Sequence, residues 1–180
     1  MGGGSVGFEP VEYRICASSG GQPMVTTVDT EALNSGLHSV PVAPGLFPFP
    51  VLSGERPRLW ASRCQTCSTT YFPRRDICPN CFGRAVWEDA VLSGQGTIYA
   101  STIVHVPSPA GIEPPYAYGY VDMRDDTKDG RPVRVFAHFT SIDREDLAVG
   151  RRVELMLIEL RRDDQGRAVI GHAFQPVAEG

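Results

Sequence analysis

The sequence predicts a mainly β protein: an N-terminal extension, a four-cysteine metal ribbon, and a small β-barrel with one short helix. Three observations predict it. Four of the five cysteines fall within 18 residues as two C-x-x-C pairs. Beyond Trp87, β-branched and aromatic residues recur in short runs separated by turn residues, the spacing of strands. Before about residue 50, Gly and Pro are scattered among short polar runs that describe no domain.

At 180 residues the chain is long enough for one ordinary domain with an appendage and a tail, and for a real core. Residues 1–50 predict an extended or partly disordered arm. In Pro41-Val42-Ala43-Pro44-Gly45-Leu46-Phe47-Pro48-Phe49-Pro50 the prolines are too frequent for a helix or a central strand. Leu46, Phe47 and Phe49 favour docking on another surface over a solvated linker. Cys16, with only Arg14 as a basic neighbour, reads as an inert thiol.

Residues 51–87 predict the metal module, led by a short helix or turn that Gly54 and Pro57 break. Ten residues separate Cys64-x-x-Cys67 from Cys78-x-x-Cys81. A C-x-x-C knuckle lets two sulfurs converge on one ion while backbone N–H groups point at the thiolates, and two knuckles complete a tetrahedral S4 shell. In a reducing compartment this clustering indicates metal rather than disulfides. Four protein ligands leave no open position, so a metal at Cys64, Cys67, Cys78 and Cys81 is structural. Zinc is the default, although iron accepts the same ligands. Tyr71, Phe72, Ile77, Phe82 and Trp87 are expected to shield the sulfurs and dock the ribbon on the barrel. Arg63, Arg74, Arg75 and Arg84, opposed only by Asp76, either offset the thiolate charge or form a patch that meets an anionic partner.

Residues 88–180 predict the barrel, with strands near 88–91, 97–106, 116–123, 133–140, 152–160 and 168–177. Alternation is clearest where Val133, Val135, Ala137 and Phe139 share one face and Arg134, Phe136, His138 and Thr140 the other. Residues 141–150 predict one short helix, capped by Ser141 or Asp143 and closed by Gly150. Asp125-Asp126-Thr127-Lys128-Asp129-Gly130 and Asp163-Asp164-Gln165-Gly166 predict hairpin connections. Five or six strands with one inserted helix point to a partly open five-stranded Greek-key barrel of the OB type.

Composition narrows the function. With 42% hydrophobic and 21% charged residues the chain has ordinary soluble composition, and no window approaches the ~18 uninterrupted apolar residues of a membrane helix. Met1-Gly2-Gly3-Gly4-Ser5 lacks a signal-peptide pattern, so a cytoplasmic protein is expected. A net charge of −4 and a pI near 5.5 argue against a broad phosphate-binding surface. Ribbons and OB barrels nevertheless both serve nucleic acids, and Tyr116, Tyr118 and Tyr120 could stack bases from one face. A single-stranded nucleic-acid module is therefore the alternative reading. Independent catalysis lacks a constellation: His105, His138 and His172 fall on different predicted strands, His38 lies in the arm, and no nucleophile turn is present.

Several motifs occur together in a familiar order. Trp60, the two knuckles with Tyr71-Phe72-Pro73-Arg74 between them, Gly94-Gln95-Gly96-Thr97-Ile98-Tyr99, Pro115-Tyr116-Ala117, Val149-Gly150-Arg151-Arg152-Val153 and Phe174-Gln175-Pro176-Val177 resemble the family called domain of unknown function 35. The resemblance spans roughly residues 50–178. It implies a rubredoxin-like zinc ribbon joined to an acyl-CoA-associated OB-fold. It also implies an accessory role beside a thiolase-fold enzyme, a thiolase, an acyltransferase or a side-chain-cleaving aldolase, whose own residues carry catalysis. No catalytic or acyl-CoA-binding residue of this chain follows from it. The loop Pro107-Ser108-Pro109-Ala110-Gly111-Ile112-Glu113-Pro114-Pro115 is the segment expected nearest the partner or the acyl chain, because loops carry function on rigid barrels.

Overall fold

The computed structural model describes residues 39–50, 55–84, 86–124 and 131–177. Cys16, His38 and the hairpin connection expected at 125–130 lie outside the described residues, as do 51–54. Nine strands lie among those described: β1 Ser39–Pro41, β2 Arg58–Cys64, β3 Thr70–Tyr71, β4 Trp87–Ser93, β5 Gln95–Val104, β6 Tyr116–Met123, β7 Val133–Phe139, β8 Arg152–Arg162 and β9 Ala168–Pro176.

Strands β5, β6, β7, β9 and β8 close into a five-stranded barrel, β8 pairing back onto β5. All of these pairings are antiparallel except β7 with β9, which is parallel and confined to His138–Phe139 against Ala173–Phe174. Because β8 covers one edge of β9 throughout, β1 adds in parallel on the other, at Ala168–Ile170, where β7 has no pairing with β9. On β7 the expected alternation holds: Val133, Val135, Ala137 and Phe139 are buried, and Arg134 and Phe136 are exposed. Near its middle β6 meets a bulge of β5 between Ile98 and Ala100. There a Cβ on Gly119 would collide with the Ala100 carbonyl oxygen, so the close crossing requires glycine.

The ribbon is a second, three-stranded sheet in the order β3-β2-β4. β4, placed with the barrel strands by its composition, pairs with β2 along its whole length, from Arg58 opposite Ser93 to Cys64 opposite Trp87. Gly94, at φ +72°, then turns the chain from β4 into β5. Ribbon, arm and barrel share one core. Leu59 and Leu92 of the ribbon and Phe47 of the arm belong to the same buried cluster as Ile98, Val121, Val135 and Phe174 of the barrel. The proline-rich run is docked: Leu46 and Phe49 pack on that cluster, and the Leu46 carbonyl accepts a hydrogen bond from Trp60 N–H at 2.8 Å.

No helix occurs among the described residues. The helix expected at 141–150 is a turn with a single Leu147 N–H to Asp143 carbonyl bond of α type. Its side chains compete with helical bonding. Ser141 Oγ accepts from Asp143 N–H and Asp143 Oδ1 from Glu145 N–H, while Gly150, at φ +89°, donates to the Ile98 carbonyl. The helix expected at the start of the ribbon is absent from its described part, because Arg58–Trp60 is already strand paired with β4.

Candidate metal centre and the ribbon–barrel junction

The two knuckles are built alike. In the first, Ser68 N–H donates to the Cys64 carbonyl at 2.8 Å and Cys64 N–H to the Thr69 carbonyl at 2.9 Å. In the second, Phe82 N–H donates to the Cys78 carbonyl at 2.8 Å and Cys78 N–H to the Gly83 carbonyl at 3.2 Å. Each turn ends on a left-handed residue, Ser68 at φ 59° and Phe82 at φ 58°. For a non-glycine residue that conformation costs about 1 kcal/mol or more. Tight reversal of the chain behind the second sulfur of each pair imposes it.

These turns bring four sulfurs together, as the spacing predicts. All lie within 4.8 Å of one another, with Cys64 and Cys81 Sγ 3.8 Å apart and Cys67 and Cys78 Sγ 3.5 Å apart. None of the four is in a disulfide. A tetrahedral ion with metal–sulfur bonds of about 2.3 Å needs sulfur–sulfur edges of roughly 3.8 Å, so the set fits zinc. Its electrostatics point the same way. Cys67 is drawn down to about 6, first by the Thr69 hydroxyl and then by the Asn80 amide. Cys81 is pushed up to about 11: the Gly83 N–H favours its thiolate, but Cys78, burial, Cys64 and Cys67 together outweigh it. Four thiolates this close need a cation among them to ionise together. Asn80 Nδ2 donates to Thr69 Oγ1 at 3.3 Å, tying one knuckle to the other.

The large apolar residues of the ribbon divide into two groups. Phe72 is buried in the shared core and meets His172 of β9 edge-on, with ring centroids 5.3 Å apart. Tyr71 meets Trp87 edge-on at 6.2 Å. Phe72 therefore docks the ribbon on the barrel as expected, whereas the Tyr71–Trp87 contact lies within the ribbon, between β3 and β4. Ile77 and Phe82 do not dock it: they are 57% and 81% exposed. Arg63 is buried and donates from Nε to Thr70 Oγ1, whereas Arg74, Arg75 and Arg84 are exposed.

Parallel pairing of β7 with β9 also brings together two histidines that the sequence places on separate strands. His172 Nε2 lies 2.8 Å from the Phe136 carbonyl, which can only accept, so Nε2 carries the proton and Nδ1 is a bare, buried acceptor with no partner. Burial holds the His172 pKa below the usual range against the Phe136 bond. Burial, then repulsion from His172, lowers that of His138, partly offset by the Ala117 backbone. His105 lies elsewhere, in an open cleft of about 630 Å³ with Ser101, Ile103, Pro115, Ile142 and Arg144. That cleft adjoins the 107–115 loop, which folds on itself through Gly111 N–H to the Ser108 carbonyl and Ser108 N–H to the Ile112 carbonyl. On the barrel exterior, Tyr118 and Tyr120 pack against Phe136 at 5.3 and 5.5 Å. Arg134, held by Asp122, lies 3.2 Å over the Tyr99 ring. Neither the histidine pair nor the cleft was legible from sequence, since strand order and turn packing create both.

Residues 53–86 match the family described as ChsH2, rubredoxin-like zinc ribbon domain, and residues 89–157 match ChsH2, C-terminal OB-fold domain, together more than half the chain. A DUF35 domain-containing scaffold protein of Methanocaldococcus jannaschii is 31% identical over 125 residues, covering 68% of this chain and 84% of that protein. The chain belongs to the DUF35 family, as a zinc-ribbon and OB-fold protein of the ChsH2 type. This DUF35 chain is also similar to the benzoylsuccinyl-CoA thiolase subunit BbsA of Thauera aromatica, 28% identical over 124 residues, covering 69% of this chain and 80% of BbsA. Among solved structures, the Ltp2-ChsH2(DUF35) aldolase matches at 25% identity and a TM-score of 0.49, covering 66% of this chain and 84% of that one.

Proposed function

We propose that this chain is a non-catalytic subunit that assembles with a thiolase-fold enzyme acting on acyl-CoA thioesters and helps to shape the acyl site, with one structural zinc ion at Cys64, Cys67, Cys78 and Cys81. The observation that carries the reading is the match to BbsA. Four fifths of that thiolase subunit aligns with this chain.

The chemistry of the chain's own residues supports the same division of labour. A four-sulfur shell holds its ion without an open position, so it fixes the ribbon and cannot polarise a substrate. His172 is committed to the Phe136 carbonyl and sealed by Phe72, which suits packing and not proton transfer to a ligand. The cleft at Ile103, Pro115 and Ile142 offers an apolar wall beside the 107–115 loop, where an acyl chain held partly by the partner could lie.

Co-expression with the thiolase-fold protein encoded nearest to this chain tests the assembly. One co-eluting species on size exclusion, at a mass above either protein alone, is expected. Separate elution at micromolar concentration contradicts the proposal.

A further inference from the structure

We propose that the ribbon tip, with Phe82 at its apex, is the anchor by which this chain is held in an apolar pocket with an acidic rim on its thiolase-fold partner. The inference deepens the accessory role proposed above and rests on it.

Nothing in the fold asks for phenylalanine at position 82. Its twin in the first knuckle, Ser68, adopts the same left-handed backbone and makes the same hydrogen bond with a small polar side chain. Glycine suits that backbone best. Here a large ring occupies it and stands 81% exposed. Two more exposed apolar side chains flank the knuckles. Ile77, 57% exposed, bridges Arg84 across the second knuckle, and Val86, 64% exposed, sits beside the first, its carbonyl accepting Gln65 N–H at 3.0 Å. Exposed rings on the barrel differ in kind. Tyr120 and Phe136 pack on each other, and Tyr99 is covered by Arg134. Phe82 has no ring or cation partner among the described residues.

The tip also has the composition of an interface core, which favours aromatic residues and arginine and excludes lysine. Its base is stiffened by two knuckles, so little ordering is left to oppose binding. Charge selects the occupant. Between residues 74 and 86 Arg74, Arg75 and Arg84 are exposed and Asp76 is the single acidic side chain, so guanidinium groups stand at the outer surface of the tip while the thiolate charge lies at the more buried cysteines. A second copy docking tip to tip about a two-fold axis would set guanidinium against guanidinium. A pocket rimmed with carboxylates receives the same surface favourably.

The test compares wild-type protein, Phe82→Gly and Arg74→Glu/Arg84→Glu, each metal-loaded, for binding to the thiolase-fold protein encoded nearest to this chain. Phe82→Gly relieves the backbone while removing the ring, so its metal content and melting temperature should equal or exceed those of wild type. Its affinity for the partner should fall at least tenfold. The double charge reversal should slow association at low salt, and the difference should shrink at high salt. Phe82→Gly binding within twofold of wild type overturns the tip as anchor while leaving the complex, and the accessory role, standing. A wild-type chain that binds no partner removes both. A Phe82→Gly change confined to self-association, read by light scattering, assigns the tip to a second copy and overturns the proposal.

Discussion

Phe72 of the ribbon stands edge-on to His172 of the barrel, with centroids 5.3 Å apart and planes at 89°, so the packing that joins the two parts includes a titratable ring. Both His172 and its neighbour His138 have pKa values lowered by burial, His138 also by His172. The neutral forms are therefore the ones that fit the fold. An unfolded histidine takes up a proton near pH 6.5. As pH falls through that value the unfolded chain gains protons that the folded chain resists, and stability drops. The stability in question is present above about pH 6.5 and is lost on the way down to the lowered folded values. The melting temperature should accordingly fall between pH 7.5 and 5.5, and fall less in His138→Gln. Parallel curves for the two proteins, at equal metal content, contradict this account.

The four cysteines make a quantitative prediction. Reduced, freshly purified protein should hold about one equivalent of zinc, and metal binding to such a site contributes on the order of 10 kcal/mol to folding. Cys78→Ser removes a buried ligand and should lose both the metal and cooperative melting of the ribbon. Less than half an equivalent of any metal in the wild-type protein, or an unchanged melting temperature in the variant, would show that the sulfurs converge for another reason.

Gly119 sits where β6 crosses the β5 bulge. A methyl group there meets the Ala100 carbonyl, which is backbone and cannot rotate aside. Gly119→Ala should cost at least about 2 kcal/mol, the range of overpacking in a rigid core. Gly83→Ala, where no atom lies within 4 Å of the new carbon, is the control and should change little. Equal denaturation midpoints for the two variants would mean that the crossing is looser than its geometry.

Single-stranded nucleic acid remains the alternative occupant of the β6–β7 exterior. The rings there pack against one another and Arg134 is paired with Asp122, on an acidic chain. No shift of an unstructured oligonucleotide is expected in a mobility assay at low salt. A shift abolished by Tyr120→Ala would favour the nucleic-acid reading.

What the sequence discloses depends on how local the determinant is. Barrel strands were legible because burial alternates with period two, as Val133 to Phe139 display. The convergence of the four cysteines was legible because each C-x-x-C turn is made by four consecutive residues. Non-local features were not. β4 reads as one more strand, and only its pairing with β2 assigns it to the ribbon. His138 and His172 are 34 residues apart and meet through a parallel pairing that no turn motif announces. The helix at 141–150 failed because Ser141 and Asp143, read as caps, satisfy the backbone N–H groups of Asp143 and Glu145 without a helix to cap. Ile77 and Phe82 were assigned inward on hydrophobicity alone, but both are exposed, Phe82 on a left-handed turn and Ile77 on the bridge to Arg84.

The accessory role is tested most directly by measuring turnover of one acyl-CoA substrate by the thiolase-fold partner, at matched partner concentration, with and without this chain. The account predicts no turnover by this chain alone, and activity of the partner that rises several-fold to a plateau as the chain is added to stoichiometry. Full activity of the partner by itself, unchanged by the chain, would contradict it.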